Sequence, residues 1–479
     1  MRPNILFIMT DQMRGDCMGI AGHPDVKTPY LDSLGVEGSY FPNAYTACPS
    51  CIAARASLMT GLTPRHTKRV GYQDGVAWDY DTTLAGELGK AGYYTKCVGK
   101  MHVHPLRNNL GFDDVILHDG YLGYYRKPTT PFYEHQTIAD DYFHWLKSEL
   151  GADVDITDSG LECNSWVARP FPYEEKYHPT NWVVANSIDF LRKRDRSKPY
   201  FLFASFVRPH PPFDAPQCYF DMYQDKELTP PPVGDWADNE RYKIEGRHYC
   251  CGNGIADPEL QRQAQVGYYA CITHLDHQIG RLLQAIQEDG EYNNTIIIFT
   301  SDHGELLGDH HTFRKIRPYQ ASIQIPFIIS TPNEIANIKG HTFKQVVGLQ
   351  DIMPTLLDIA GASIPKTLDG VSLVPLLSGQ ENKTREYLHG EHSGGIIGNQ
   401  YIVTDTDKFI WYMETGEEQY FNLAIDSKEL KNEIHNPLYK ERISYLRNIM
   451  IKELIGREEG YTDGNVLIKG KEQKAMLSK

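Results

Sequence analysis

Short, mostly apolar runs recur along the chain at 5–10, 94–98, 200–206, 295–301 and 325–329, each closed by polar or turn-forming residues. Runs of that length and character read as strands buried on both faces. Between them apolar positions return every three to four residues over 83–91, 182–193 and the long stretch 259–288, which predicts helices. Strand and helix alternate, so the expected fold is a doubly wound α/β sheet. In such sheets the working residues gather just past the carboxyl ends of the strands. Asp11, the 99–104 segment and Asp302 all fall there.

Two stretches break the rhythm. Residues 118–180 and 208–258 are rich in Tyr, Pro, Trp and His with little periodicity, and loops of that length usually serve as lids or substrate walls. After Pro375 the texture changes again, with strand-like runs near 399–404, 408–413 and 419–423 and helical segments to about 456. The expected division is a catalytic domain over 1–380 and a smaller α+β subdomain, a small antiparallel sheet with helices, over 381–479.

Composition narrows the class. The chain has 479 residues, 41% of them hydrophobic and 23% charged, as in an ordinary globular protein. A formal charge of −14 disfavours nucleic acid and anionic membrane as partners. An anionic substrate would therefore need a local cluster of basic groups. The apolar run at 4–10 is too short for a secretory signal and reads as a first strand. No run of about 18 apolar residues marks a membrane span. Nine cysteines, an odd number without scaffold spacing, suit a reducing cytoplasm; an exported chain with its leader trimmed would read the same.

Candidate chemistry centres on C-I-A-A-R-A-S-L-M-T-G at 51–61, which reads as an active-site turn feeding a helix, with Arg55 one turn beyond Cys51 on the same side. A lone cysteine is ordinarily a structural thiol. C-P-S-C at 48–51 also admits a redox or zinc reading, but no second pair with finger spacing exists, since Cys250 and Cys251 are adjacent. Asp11-Gln12 and Asp302-His303 each follow a strand, so the pairs can converge on one cation. Three oxygen ligands suit a hard ion, while the imidazole suits manganese or zinc. Lys100, His102 and His104 share one face of an extended segment, and prolines stiffen the turn carrying His210. Standing alone, T-D-Q would be a capped turn and Lys315 a solvated side chain.

Taken together these motifs resemble the type I, formylglycine-dependent sulfatases of the alkaline phosphatase superfamily. The resemblance rests on 51–61, where the usual pattern is C-x-P-S-R-x-x-L/M-x-T-G and Ala53 and Ala54 replace Pro and Ser. It extends to T-D-Q at 10–12, G-K-M-H at 99–102 for the family's G-K-W-H, P-H-x-P at 209–212, S-D-H-G-E at 301–305, Y-Y-A-C-I-T-H-L-D-H-Q-I-G at 268–280 and Q-D-I-M-P-T-L-L-D at 350–358. Nearly the whole chain is covered.

The resemblance implies a large mixed, mostly parallel sheet flanked by helices, with a smaller C-terminal α+β subdomain. It implies that a sulfatase-maturing enzyme oxidises Cys51 to formylglycine, whose hydrate attacks a small-molecule or oligosaccharide sulfate ester. It places a divalent cation on Asp11, Gln12, Cys51, Asp302 and His303, with Ca2+ first and Mg2+ or Mn2+ as alternatives. Arg55 then holds the diol, Lys100 bridges sulfate and nucleophile, and His102 takes a proton from the diol. His210 and Lys315 contact sulfate, and one of them protonates the leaving group. Glu305 is read as orienting its neighbours. By position, His104, Arg107, Arg208 and Arg317 are candidates for gripping a second anionic group such as a uronate, with Tyr72 and Gln73 at the mouth. Two alternatives stand beside this: a phosphodiester or phosphonate monoester hydrolase of the same superfamily, whose members lack the K-x-H pair, and a catalytically silent sulfated-glycan-binding protein with Cys51 unmodified.

Overall fold

A computed structural model describes residues 2–119, 140–155, 158–237, 250–254, 257–332, 340–380 and 385–478. Its strands are β1 (Asn4–Asp11), β2 (Ser39–Tyr40), β3 (Ala44–Tyr45), β4 (Tyr94–Gly99), β5 (Asp114–Leu117), β6 (Tyr200–Pro209), β7 (Thr295–Ser301), β8 (Phe327–Ser330), β9 (His341–Thr342), β10 (Val347–Gly348), β11 (Leu388–His392), β12 (Asn399–Val403), β13 (Asp407–Tyr412) and β14 (Glu418–Asn422). Eight of them make the central sheet in the order β5-β4-β6-β1-β7-β8-β2-β9. From β5 to β7 every pairing is parallel, and β8 runs antiparallel to both β7 and β2. The sheet is therefore mixed and mostly parallel.

All eight residues of β1 are buried, and successive side chains enter opposite cores, as the period of a strand requires. Leu6 and Ile8 join Trp182, Val183 and Tyr268 of the helices Pro179–Lys193 and Pro258–Glu288. Ile5, Phe7 and Met9 join Ile52, Leu88 and Leu356 of the helices Cys51–Thr60, Leu84–Lys90 and Ile352–Ile359. Helices on both faces leave the carboxyl edge of the parallel strands as the open end.

Two expectations change. The long stretches expected as loops contain the helices Asp141–Leu150 and Gln217–Gln224. Each is short, and its buried face is largely aromatic (Tyr142 and Phe143 beside Leu146; Tyr219, Phe220 and Tyr223), so it lacks the aliphatic stripe that marks a helix. The strand expected from 325 begins at Phe327, because the amide of Ile325 donates instead to the carbonyl of Ala44 and Pro326 has no amide hydrogen to pair.

β11 to β14 form a separate antiparallel sheet in sequence order. Ile402, Phe409, Trp411 and Tyr420 on one face pack against Leu446, Met450 and Leu454 of the helix Lys440–Leu454. Tyr401, Val403, Ile410 and Tyr412 on the other meet Tyr45, Tyr319 and Ile323 of the main body. The chain then returns, and the Val70 and Leu477 amides donate to the carbonyls of Ala475 and Lys68. All nine cysteines are free thiols. No helix among the described residues is long and apolar enough to cross a membrane.

Candidate active site

The parallel register assembles the site. Thr10 pairs with Ser301, so the next residues, Asp11 and Asp302, emerge side by side. On the other flank of β1, Asp11 pairs with Pro209 and β6 pairs Ser205 with Gly99. That brings Lys100 and His210 to the same edge. Gly99 lies at φ +106, and a Cβ there would sit 1.9 Å from the Ser205 carbonyl oxygen, so glycine alone lets β4 approach and deliver Lys100. Gln12 turns sharply out of β1 at φ 68, and its amide donates to Asp302 Oδ1 at 3.0 Å.

Cys51 opens the helix Cys51–Thr60, in which every residue is buried. Ala53 and Ala54 are fully enclosed, consistent with a helix pressed close against the sheet. Gly61 ends it in the left-handed region at φ 69, which a β-carbon disfavours. The amino end of a helix favours negative charge, and Cys51 stands there.

Around the sulfur, Lys315 Nζ lies at 3.1 Å, His303 Nε2 at 3.3 Å and Asp11 Oδ1 at 3.7 Å. Arg55 Nε donates to Asp302 Oδ2 at 2.9 Å, and its Nη1 donates to the Lys100 carbonyl and Ser205 Oγ. Lys100 Nζ donates to Asp11 Oδ2. Asp11, Arg55, Lys100, Asp302 and His303 are completely buried. Burial opposes the charge of Asp11, yet the positive charges around it, Lys100 first and Lys315 with it, hold its carboxyl well below the usual range. Burial and Asp11 push the Cys51 thiol up, and Lys315, Lys100 and His303 outweigh them, so it falls below its ordinary value. Lys315 is raised despite burial by Cys51, Asp11 and Asp302. Burial and then Lys315 hold His210 well below the ordinary histidine value.

Asp11, Cys51, Asp302 and His303 each offer a ligand atom within 4.8 Å of the others. His303 Nδ1 donates to the Gly304 carbonyl at 2.9 Å, so Nε2 is the nitrogen turned to the cluster, and on losing its proton it offers the lone pair a metal-bound imidazole needs. The donor set thus fits a divalent cation. Gln12 stands beside it: its Oε1 accepts from Lys315 Nζ at 2.8 Å and its Nε2 donates to Glu305. Glu305 also accepts the amides of Leu307 and Arg314. Cys48 takes no part in the cluster.

Cys51, His102, His210 and Lys315 line one cavity of about 930 Å³, within the size range of ligand pockets. The Met101 and His102 amides both donate to Asp119 Oδ1 at 2.9 Å, a tie that places His102 and that no motif signalled. The long stretches contribute Cys163, Asn164, Gly252 and Asn253 to the wall, the end of β11 contributes His392, and the segment after it contributes Ile396 and Ile397. His392 was not among the residues singled out from the sequence.

Of the residues expected to grip a second anion, Arg317 lines this cavity, with Tyr72 and Arg314. Arg208 is corrected. Its Nε and Nη2 donate to the two carboxylate oxygens of buried Asp214 at 2.5 and 2.6 Å, and Nη1 donates to the His210 carbonyl, so it braces the turn that carries His210. Arg107 is corrected likewise, since its fork holds Asp141. Neither of these, nor His104 or Gln73, belongs to the described wall.

The Sulfatase family model matches residues 3–362, and the model of the N-sulphoglucosamine sulphohydrolase C-terminal region matches 308–455. An arylsulfatase of Clostridium perfringens is 54% identical over 471 residues, 98% of each chain. A choline-sulfatase of Rhizobium meliloti is 30% identical across 91% of this chain and 83% of its own. The crystal structure of a phosphonate monoester hydrolase of Agrobacterium radiobacter superposes with a TM-score of 0.76 at 25% identity, covering 94% of this chain and 95% of that one. This chain belongs to the sulfatase family of the alkaline phosphatase superfamily. It is a sulfuric ester hydrolase.

Proposed function

We propose that the chain hydrolyses the sulfate ester of a carbohydrate through formylglycine made from Cys51, with a divalent cation held by Asp11, Gln12, Asp302, His303 and the oxygen at position 51. The observation that carries this reading is the convergence of Lys315, His303 and Asp11 within 3.7 Å of one sulfur. Formylglycine supplies a geminal diol, one hydroxyl of which displaces the alcohol from sulfur while the other expels sulfate as the aldehyde re-forms. The cation, when bound, polarises sulfate oxygens. Two carboxylates favour calcium, and His303 keeps magnesium and manganese in play.

The remaining work falls to the chain's own side chains. Lys100 and Lys315 flank the nucleophile and stabilise charge spreading onto the transferring group, aided by a buried setting. Arg55 helps hold the diol, its guanidinium fixed by Asp302 and Ser205. His102, which lines the same cavity as Cys51, takes the diol proton. His210 Nδ1 donates to the Pro211 carbonyl at 2.8 Å, which turns Nε2 outward to the ester. Of the pair at the leaving group, Lys315 is assigned the proton, because burial and then Lys315 itself hold His210 well below the ordinary histidine value. A sulfatase-maturing enzyme is the implied partner, and nine free thiols favour a cytoplasmic setting.

The phosphonate monoester hydrolase of Agrobacterium radiobacter shares the fold at 25% identity, so a phosphonate or phosphodiester activity is the second reading. Lys100 within the cluster favours sulfate. Intact-peptide mass spectrometry of protein co-produced with a maturing enzyme, paired with assays on para-nitrophenyl sulfate, phosphonate and phosphodiester, tests the proposal. Residue 51 is expected about 18 Da lighter than cysteine, since sulfur and two hydrogens give way to one oxygen. Sulfate turnover is expected to dominate and to vanish in Cys51→Ala. Full activity from unmodified thiol, or from Cys51→Ala, overturns the mechanism.

A further inference from the structure

The backbone at His102 is held in a conformation that an L-residue rarely takes. It lies at φ 60, in the left-handed region, which a Cβ disfavours. The residue is 1% exposed, so its amide must find a partner inside the protein. β4 and β5 pair as far as Gly99 and Leu117, and the last rung between them is the His118 amide on the Gly99 carbonyl at 3.0 Å. Beyond it the two chains part. The Lys100 amide donates across to the Ser205 carbonyl at 2.9 Å, while the next two amides, of Met101 and His102, both donate to Asp119 Oδ1 at 2.9 Å.

Successive amides converge on one anionic oxygen when the chain curls through a left-handed residue. The curl at His102 and the carboxylate of Asp119 therefore depend on each other. Asp119 is 4% exposed, and its neighbour His118 is anchored in turn, with Nδ1 2.8 Å from Oδ2 of Asp140 at the amino end of the helix Asp141–Leu150. Without an acceptor at 119 the two buried amides lose their partner, and nothing then repays the left-handed turn.

We infer that Asp119 is a positioning residue: it fixes the 101–102 backbone and thereby sets where the His102 imidazole stands in the cavity shared with Cys51. This rests on the mechanism proposed above, in which the bound sulfate leaves as the free hydroxyl passes its proton to His102, the carbon–oxygen bond to sulfate breaks and the aldehyde re-forms. Asp119 acts only through His102, so its loss falls on that second half-reaction and spares the first.

Three substitutions separate position from charge. Asp119→Asn keeps an oxygen for the two amides and drops the charge, Asp119→Glu keeps the charge and displaces the oxygen by a methylene, and Asp119→Ala removes both. In the unmodified protein, hydrogen exchange over 99–104 is expected to quicken in Asp119→Ala and Asp119→Glu and to stay near wild type in Asp119→Asn. In the formylglycine-bearing enzyme acting on para-nitrophenyl sulfate, Asp119→Ala is expected to lower kcat by about a hundredfold. KM falls beside it, so that kcat/KM changes by less than about threefold, and para-nitrophenolate appears in a burst before slow turnover. Asp119→Glu is expected to behave alike, and Asp119→Asn to recover most of the rate. His102→Ala is expected to show the same burst, and adding Asp119→Ala to it to cost no more than about threefold further, since residues acting as one unit are not additive. Should Asp119→Ala not fold, Asp119→Glu takes its place in each comparison. Losses that multiply in the double variant, a rate that Glu keeps and Asn loses, or unchanged exchange over 99–104 each overturn the inference and leave the mechanism standing. A His102→Ala enzyme as active as wild type overturns the role of His102 and this inference with it.

Discussion

Two clusters of charged side chains lie inside this protein, and they are built on opposite principles. Between the C-terminal sheet and the last helix, Arg457 donates from Nη1 and Nη2 to the two oxygens of Glu391 at 2.9 Å, and from Nε and Nη2 to Glu459 at 3.2 and 2.7 Å. Gln400 completes Glu391. The guanidinium is matched edge by edge. Around Cys51 the count of groups is larger and the matching poorer. Among the described residues Arg55 Nη2 has no hydrogen-bond partner and lies 3.9 Å from Asp11 Oδ2, and His303 Nε2 sits 3.7 Å from each of two carboxylates. Both clusters shift pKa values. What separates them is completeness: a closed ion-pair set holds a fold, while a set with valences left over is shaped for something that is not protein.

That contrast can be broken most directly at Asp302. Asp302→Asn keeps an acceptor for the amides of Gln12 and His303 but removes the charge a cation needs. Elemental analysis of the purified variant is expected to show the bound ion gone, and turnover of para-nitrophenyl sulfate is expected to fall by at least about a thousandfold. Ion content and activity both retained would mean that the strand-end cluster is as self-sufficient as the one at Arg457. The reciprocal change is Arg457→Met, which leaves two buried carboxylates uncompensated. Denaturant unfolding is expected to show a loss of about 3–5 kcal/mol, with kcat of the folded enzyme on the same substrate within about twofold. A large kcat effect with little loss of stability would reverse the assignment.

The legibility of each cluster in the sequence follows from the same difference. Asp11, Lys100 and Asp302 sit at strand ends, where chain direction already brings them to one edge, while Cys51, His210 and Lys315 are legible through the resemblance of their short motifs to the sulfatase family; alone, Lys315 reads as a solvated side chain. The strands themselves were legible because a doubly covered sheet leaves unbroken apolar runs, as in Thr295–Ser301. Arg457, Glu391 and Glu459 meet only because the last helix folds over an antiparallel sheet, a long-range event without a local signature. β11 escaped notice for a related reason: L-H-G-E-H is polar, and its burial comes from neighbours distant in sequence. The same holds for His392 at its end. Arg208 and Arg107 were misjudged because position beside a motif says nothing of a carboxylate waiting across the fold. Asp214, six residues after Arg208, was nonetheless near enough to have been weighed.

The smallest effect concerns pH. Burial alone would raise the Glu391 carboxyl, but Arg457 outweighs it by charge and by hydrogen bonds, so the folded-state value lies below the ordinary one. A depressed acid stabilises the fold fully above its unfolded value, about 4.3, and that contribution drains away as pH falls through the folded value. Glu391→Gln cannot titrate. Its unfolding free energy is therefore expected to be lower than wild type near neutrality, with the gap closing as pH drops below about 4. Since Glu391 and His392 are adjacent in a strand and face opposite ways, the neutral-pH kcat on para-nitrophenyl sulfate should not follow this curve. A gap that stays constant down the acid limb would show that the Arg457 cluster, for all its matched hydrogen bonds, does not hold Glu391 ionised in the fold.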